Sequence, residues 1–339
     1  MLGIAVPIPS IGNSSKSDNY TYSPSSTRDV QPPMDTTRRF SGVRSELSLL
    51  VNQVASIGEI LSVEPPYADS AYSSMFLGPI VVCRSASPSE QVEMDHQLQL
   101  HLETPLGSSK ELKSAYYAFC PAFGSDGGVT AHWEVRNQGP MNGTGASNQL
   151  WLIYTPFADD DLENRICDTV TKYTVCELWN ATYSIDLAWN SSTRSQRASY
   201  TTERHNLVEF PDDHSKTPSD MVKHAYSAFF LAFRNQIIGS LGWYEDETGY
   251  QHGVIDSPIQ QNILLGSSSL DQYFTFNKNT PGCRLPFSEM SLQRRRDKNL
   301  AANRTIDMLI EELSANVTIS ILHNELYTYV YSQNILASL

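Results

Sequence analysis

The sequence predicts an α+β fold, in which antiparallel β-sandwich-like sheets are combined with two main helices, at about residues 218–239 and 300–314. Most apolar runs are short and are separated by Gly, Pro and Ser clusters, which is typical of antiparallel strands. The clearest helical spacing appears in the two stretches just named. The order of elements, strands first, then helices and then strands again, favours an α+β domain over a doubly wound sheet.

The composition predicts one large domain behind an N-terminal arm. The chain has 339 residues, of which 40% are hydrophobic, and this is enough to build a core. Residues 1–42 are rich in Ser, Thr, Pro and Asn and show no apolar periodicity after Ile11, which predicts a flexible arm. Residues 43–339 then form a single α+β domain, and 211–217 is the candidate place for a sub-domain boundary.

Short apolar runs mark the first predicted elements of this domain. A helix-like or mixed segment, Leu47–Val63, opens it. Runs bounded by turn-forming residues then predict strands. These strands are Pro79–Cys83, Leu98–Leu102, Ala115–Cys120, Val129–Val135 and Leu150–Tyr154.

The clearest predicted strand is Cys176–Asn190, where apolar residues fall on odd positions and polar residues on even ones. The odd set is Tyr183, Ile185, Leu187 and Trp189, and the even set is Asn180, Thr182, Ser184, Asp186 and Asn190. A period of two predicts a half-buried strand with one solvent-facing side. The segment Arg197–Phe210 follows a Ser-rich turn and is its predicted hairpin partner.

Two later stretches have the spacing of helices. Pro218 stands at the first position of one helix, apolar residues follow it at steps of three and four, and Gly239 closes it. Its A-F-F-L-A-F segment is apolar nearly all round, which predicts the most buried helix of the domain. The second helix, Leu300–Ser314, leads into an alternating strand at Val317–Ile321, and the chain ends in β structure.

The charge balance excludes a nucleic-acid partner. The formal net charge is -13 and the sequence pI is about 5.0, whereas a nucleic-acid binder must neutralise phosphates with clustered Lys and Arg. No apolar run is long enough for a transmembrane helix. Residues 1–12 are interrupted by Pro7 and Pro9 and make a poor signal peptide. We therefore expect any membrane attachment to come from flanking segments outside this chain.

The cysteines are compatible with an oxidising compartment. They are Cys83, Cys120, Cys167, Cys176 and Cys283. No two of them form a C-x-x-C pair, so the sequence does not suggest a zinc site. Cys83 with Cys176 is the first predicted disulfide, because each lies in or beside a β-branched, strand-like run. A cytosolic protein with five buried thiols is the alternative interpretation.

Seven N-x-S/T triplets exceed the number that chance would give. They begin at Asn13, Asn19, Asn142, Asn180, Asn190, Asn303 and Asn316, and the last five are the glycosylation candidates. Asn180 and Asn190 both fall on the polar side of the predicted strand. The excess favours a secretory route.

No common catalytic signature is present, because G-x-S-x-G, H-E-x-x-H, the P-loop and G-x-G-x-x-G are all missing from the sequence. Glu245, Asp246 and Glu247 follow Trp243 and Tyr244, and a glycan-cleaving enzyme could use such carboxylates. An acidic surface turn is the simpler interpretation. We therefore predict no catalytic residue and no cofactor.

Three further clusters are candidate sites. The acidic run Asp159–Glu163 lacks the spacing of an EF-hand and fits a solvated charge run. His101 and Glu103 share one face of the predicted strand, with His96 nearby, but a third metal ligand is missing, so no metal site is predicted. Arg294–Arg296 fits a solvated loop, a helix start or a dibasic processing site.

Four stretches, in order, resemble one known group of proteins. C-E-L-W-N-A-T-Y-S-I-D-L is similar to the Cys-x-Leu-x-Asn-Ala-Ser-Tyr-x-Val element of uncharacterised multi-pass membrane proteins of filamentous fungi. G-P-I-V-V-C precedes it, and A-Y-S-A-F-F-L-A-F-R-N-Q-I-I-G-S-L and I-E-E-L-S-A-N-V-T-I-S-I-L follow. The resemblance runs from about Tyr72 to Leu339. This chain departs from it with Ile185 in place of Val and with unmatched Cys120 and Cys283.

The resemblance implies a glycosylated domain between transmembrane helices, on the extracellular or luminal side of a membrane. It implies no activity and no catalytic residues. The leading hypothesis is therefore a non-enzymatic extracellular or luminal domain of a fungal membrane protein, with a protein or glycan partner or a structural role. The alternatives are a secreted glycan-acting hydrolase built around Trp243–Glu247, and a cytosolic protein with free thiols and unglycosylated sequons.

Overall fold

The structure is a computed structural model, and every structural statement below refers to the residues that it describes. These are residues 4–9, 15–21, 36–63, 69–103, 112–123, 129–131, 147–156, 170–190, 192–193, 195–210, 214–215, 218–246, 249–255, 257–274, 292–323 and 328–333.

The described chain contains both strands and helices, and its strands pair antiparallel, which agrees with the predicted α+β class. The strands are β1 (Ile4–Pro9), β2 (Ser15–Thr21), β3 (Thr36–Val43), β4 (Ala71–Ser85), β5 (Leu112–Phe119), β6 (Pro121–Phe123), β7 (Val129–Ala131), β8 (Gln149–Tyr154), β9 (Lys172–Asn190), β10 (Ser195–Leu207), β11 (His214–Ser215), β12 (Gly239–Asp246), β13 (Gly249–Ile255) and β14 (Thr328–Gln333). The α-helices are α1 (Ser45–Ile57), α2 (Pro88–Glu103), α3 (Pro218–Arg234), α4 (Asp271–Phe274), α5 (Leu292–Ala301) and α6 (Ile306–Ser320).

A seven-stranded antiparallel sheet organises the fold around β9. Its order is β10-β9-β8-β5-β12-β13, and β4 pairs with the other edge of β9. The 19 residues of β9 are long enough to pair first with β8 and then with β10 on one edge. At the junction, Leu178 N–H donates to Asn148 O at 3.2 Å and Val208 N–H donates to Leu178 O at 2.9 Å. One strand therefore joins two sheet regions without a break in hydrogen bonding.

The second half of β9 has the two faces that the sequence predicts. Tyr183, Ile185 and Leu187 are buried, whereas Ser184 and Asp186 are exposed. The buried face packs on aromatic residues of β4, and the rings of Phe76 and Tyr183 stack with their centroids 5.2 Å apart. This region is a three-stranded sheet, β4-β9-β10, with one buried face and one open face.

The first half of β9 is covered on both faces. Cys176 and Leu178 belong to the largest core cluster, together with residues of α1, α3 and α6. Val175 lies on the opposite face, where it packs with Trp151 and with Met94 of α2. Helix α3 is apolar nearly all round, and its residues from Ala225 to Phe233 are buried, as predicted.

Helix α6 lies along the free edge of β4 rather than on a face of the sheet. Its polar residues Glu311, Ser314 and Thr318 lie at helical spacing and take up backbone groups of the strand. The N–H groups of Cys83 and Val81 donate to Glu311 Oε1 at 2.7 Å and to Ser314 Oγ at 3.0 Å. Thr318 Oγ1 donates to a β4 carbonyl oxygen at 2.7 Å. Since apolar neighbours flank this stripe on both sides, the second half of α6 is buried all round.

The helix boundaries correct the predictions in two places. Helix α3 ends at Arg234, and Gly239, with φ of 124°, begins β12 instead of closing the helix. The predicted helix Leu300–Ser314 is in fact the end of α5 and most of α6, with a turn between them. The predicted strand Val317–Ile321 is wrong, because these residues continue α6 into a 3-10 turn.

The predicted strand Leu98–Leu102 is also wrong, because the segment lies inside α2. This helix begins with a capping box. Ser87 N–H donates to Glu90 Oε2 at 2.7 Å, and Glu90 N–H donates to the Ser87 hydroxyl at 3.4 Å. Pro88, at the first helical position, adds a residue already suited to helix geometry. The start of the helix is therefore fixed by Ser87–Glu90, and these residues precede Leu98–Leu102, on which the strand prediction rests.

Residues 1–42 contain β structure where the sequence predicts a flexible arm. Strand β1 pairs antiparallel with β14, and β2 pairs with β3, which also pairs with β11. These strands find partners elsewhere in the chain, and a local pattern cannot show such partners. Strand β14 agrees with the predicted return to β structure at the end of the chain. None of the described helices has both the length and the apolarity that a membrane crossing needs.

Candidate binding site beside the disulfide

The disulfide predicted between Cys83 and Cys176 is present. The two residues lie directly opposite each other in β4 and β9, with an S–S distance of 2.03 Å. The bridge joins positions 93 residues apart, beside the edge where α6 contacts β4. Cys120 is a buried free thiol, and burial raises its pKa although Arg234 opposes the shift. Cys167 and Cys283 lie outside the described residues.

A polar cavity of about 490 Å³ opens beside this disulfide. We call it the disulfide cavity. Its walls come from the end of β4, the end of β8, the start of β9 and the two segments around α4 and the start of α6. The lining residues are Cys83, Arg84, Ser85, Tyr154, Pro156, Lys172, Tyr173, Thr174, Ser268, Ser269, Asp271, Thr305 and Asp307. The cavity therefore offers hydroxyl groups and charges of both signs.

Asp271 is held by two cations and serves as a structural anchor. Its carboxylate accepts hydrogen bonds from Arg294 at 2.9 Å and from Lys298 at 2.5 Å, which ties α4 to α5. Arg294 is buried and lies 3.9 Å over the ring of Phe274. Burial lowers the pKa of Arg294 to about 10. Because this value is still well above 7, the guanidinium group stays protonated at neutral pH. Asp271 is thus committed to these partners.

Arg84 is also committed, because two carboxylates hold its guanidinium group. It contacts Glu90 at 2.8 Å and Glu177 at 3.2 Å. The hydrogen bond from Arg84 lowers the pKa of Glu90 to about 2. The triad links the end of β4 to the start of α2 and to β9.

Lys172 and Asp307 are the charged residues of the cavity lining that remain available for a ligand. Neither side chain forms an ion pair within the described part of the chain. Lys172 is exposed and Asp307 is half-buried. In the same lining, the Tyr154 hydroxyl lies 3.4 Å from Thr174 Oγ1, and burial raises the Tyr154 pKa, so that the hydroxyl remains a neutral hydrogen-bonding group.

The candidate metal and processing residues lie in helices α2 and α5. His101 is buried in α2, where it lies 3.0 Å from Ser240 Oγ and stacks on Tyr117, whereas His96 and Glu103 are exposed. No group of His, Cys, Asp and Glu residues suited to a metal occurs in the described ranges. Arg294–Arg296 lies in the first turn of α5, which is the helix-start interpretation.

The acidic candidates are only partly visible. Trp243 to Asp246 lie in β12, whose hairpin with β13 forms one end of the main sheet, and Glu247 lies outside the described residues. The side chains of Trp243 to Asp246 lie outside what the structure describes. The run Asp159–Glu163 also lies outside the described residues.

The candidate glycosylation residues differ in exposure. Asn190 is exposed at the β9–β10 turn, where its Oδ1 accepts from Ser192 N–H at 2.9 Å, and Asn303 is exposed with φ of 61°. Asn180 is half-buried and accepts a hydrogen bond from the Tyr226 hydroxyl. Asn142 lies outside the described residues.

Asn316 corrects the prediction, because it is 5% exposed inside α6. Its Nδ2 donates to Gly58 O at 3.0 Å, and a glycan on this nitrogen would separate α6 from the end of α1. The fold therefore has no room for a glycan at Asn316.

Sequence reasoning missed Lys172 and Asp307, which no motif marks. They lie 135 positions apart, and only the folded sheet brings them to one cavity. A scan against known protein families, a search of curated proteins and a search of solved structures each returned no match.

Proposed function

We propose that the chain is a non-enzymatic extracellular or luminal recognition domain, which binds a small polar ligand in the disulfide cavity. The Cys83–Cys176 disulfide is the observation that carries this proposal. Disulfides persist in oxidising compartments and are rare in the cytosol. Cys83 also lines the cavity, so the evidence for the location and the candidate site share this residue.

The chemistry of the cavity favours a ligand with two opposite charges. Lys172 can bind a carboxylate or phosphate, and Asp307 can bind an ammonium group. The hydroxyl-rich wall supplies further hydrogen bonds. Asp271 is ion-paired on both sides and is not available as a general acid or base, which favours binding over catalysis.

The resemblance to fungal multi-pass membrane proteins supplies the remaining part of the proposal. It places the domain between membrane segments outside this chain, with exposed Asn190 and Asn303 as glycan carriers. The exposure of Asn190 and Asn303 supports this part of the proposal, because an exposed asparagine has room for a glycan. The membrane and the source organism rest on the resemblance alone.

Expression in a eukaryotic secretory host tests the location. We expect an endoglycosidase-sensitive mass shift and a Cys83–Cys176 bridge in non-reducing peptide mass mapping. Secreted material with unmodified sequons, and with Cys83 and Cys176 as free thiols, would contradict the location.

Thermal-shift measurements with free amino acids as probes test the site. We expect one or more of them to raise the melting temperature of the wild type, and K172A and D307N to lose this effect. K223A is the matched control, because Lys223 is an exposed lysine of α3 that does not line the cavity. The ligand part of the proposal fails if no amino acid shifts the wild type, or if K172A and K223A respond alike.

A further inference from the structure

Strand β10 is a long, open edge of the main sheet. It pairs with β9 on one side, and no other described strand pairs with its outer side. Its 13 residues contain neither Pro nor Gly, and residues 201–207 are all exposed. An edge of this length carries a row of unpaired N–H and C=O groups, which can add a further strand.

The two edges of the β4-β9-β10 region are treated differently by the fold. The β4 edge is closed by polar side chains of α6, as described above. The β10 edge has no such cover among the described residues. A register shift between Arg204 and Asn206 ends its regular part, which leaves residues 195–204 as a straight segment able to pair.

The charges on β10 are arranged to pair with a second copy of the same strand. Arg197 and Glu203 lie on the same open face, three residues on either side of Tyr200, and neither forms an ion pair within the described part of the chain. A two-fold axis at Tyr200, perpendicular to the sheet, places each Arg197 opposite Glu203 of the other copy. Moving the axis to Ser199 or Thr201 separates the opposite charges.

We propose that this chain forms a homodimer by antiparallel pairing of β10 with β10 of a second copy, centred on Tyr200. The pairing is isologous, as a two-fold interface requires, and it forms the same charge pair twice. It joins two three-stranded regions into one continuous sheet. Asn190 lies at the tip of the hairpin on β9, one strand in from this edge, so a glycan there leaves the edge free.

Charge reversal tests both the partner and the register. We measure self-association of the wild type, R197E, E203R and the R197E/E203R double variant by sedimentation velocity over a range of concentrations. The wild type should dimerise. Each single variant places like charges opposite each other twice and should weaken dimerisation by at least about tenfold, whereas the double variant restores the pairs and the dimer.

R296E is the matched control for the loss of a positive charge, because Arg296 is an exposed arginine of α5 and lies outside β10. R296E should dimerise like the wild type. A wild type that stays monomeric at every concentration overturns the proposal, as does a double variant no better than the single ones. A mixture of S199C and T201C copies checks the register independently, because these positions face each other and should cross-link on oxidation. No inter-copy disulfide would overturn the register.

Discussion

The backbone N–H of Val81 donates a 3.0 Å hydrogen bond to the hydroxyl of Ser314, although the two residues lie 233 positions apart. Both residues are 0% exposed. The hydroxyl donates in turn to Glu311 O at 2.8 Å, so that its donor and one of its acceptor sites are both used. A helix side chain thus takes the place that a neighbouring strand would fill, and closes the edge of β4.

We expect S314A to lower the free energy of unfolding by about 1–3 kcal/mol, because it leaves the buried Val81 N–H without an acceptor. Chemical denaturation measures this change. S56A is the matched control, since Ser56 is an exposed serine in α1 whose hydroxyl bonds only to Asn52 O. S56A should change stability by no more than about 0.5 kcal/mol. Equal stability of the two variants would contradict the proposed closure of the edge.

The predictions succeeded where a local period reports burial and failed where it does not. The second half of β9 has one solvent-facing side, so its alternation predicts both the element and its faces. The end of α6 is buried on all sides, so its polar residues lie inside as well, and the alternation of Val317 and Ile319 with them does not mark a solvent-facing side. Helix α2 is different, because a local signal for it exists in the sequence. Ser87–Glu90 has the pattern of a capping box, which predicts a helix start, whereas the strand prediction rests on the apolar residues alone.

The cavity lay beyond sequence reasoning for a geometric reason. Lys172 opens β9, whereas Asp307 lies in the first turn of α6, and no spacing rule connects them. The disulfide could be predicted because strand-like surroundings are visible locally and only few cysteine pairs are possible. A constellation of ordinary charged residues has no such restriction.

Two tyrosines of the same packed face allow a matched comparison. The Tyr183 hydroxyl donates to Pro79 O at 2.7 Å, whereas the buried Tyr72 hydroxyl has no partner within the described residues. Y183F should therefore cost about 1 kcal/mol, and Y72F should leave stability unchanged or raise it. Thermal and urea unfolding of both variants measures the difference. A larger loss for Y72F than for Y183F would refute this assignment.

Asn190 and Asn316 should respond oppositely to the same substitution. In a secretory host, N190Q should remove one glycan from the mass and leave stability nearly unchanged, because Asn190 is exposed at a turn. N316Q should remove no glycan and should lower stability by about 1–3 kcal/mol, because the buried bond to Gly58 O is displaced. Intact mass and unfolding midpoints measure both effects. If N316Q lost a glycan that the wild type carries, this result would contradict the burial of Asn316 inside α6.

Acid should weaken the contact between Arg84 and Glu90 in a defined range of pH. The hydrogen bond from Arg84 lowers the pKa of Glu90 from 4.5 to about 2 in the folded protein. A depressed carboxyl pKa stabilises the folded state at pH values above the unfolded pKa, and this stabilisation is lost as the pH falls towards about 2.

At neutral pH, E90Q should therefore be less stable than the wild type by about 1 kcal/mol. The loss is no larger because Arg84 is partly exposed, and solvent screens its interaction with Glu90. The difference should shrink between pH 4.5 and about 2, where the wild type loses its charged partner. Urea unfolding at a series of pH values measures it, and E209Q, at an exposed glutamate, should show no such trend. A stability difference between E90Q and the wild type that stays constant down to pH 2 would mean that the ion pair does not hold Glu90 ionised.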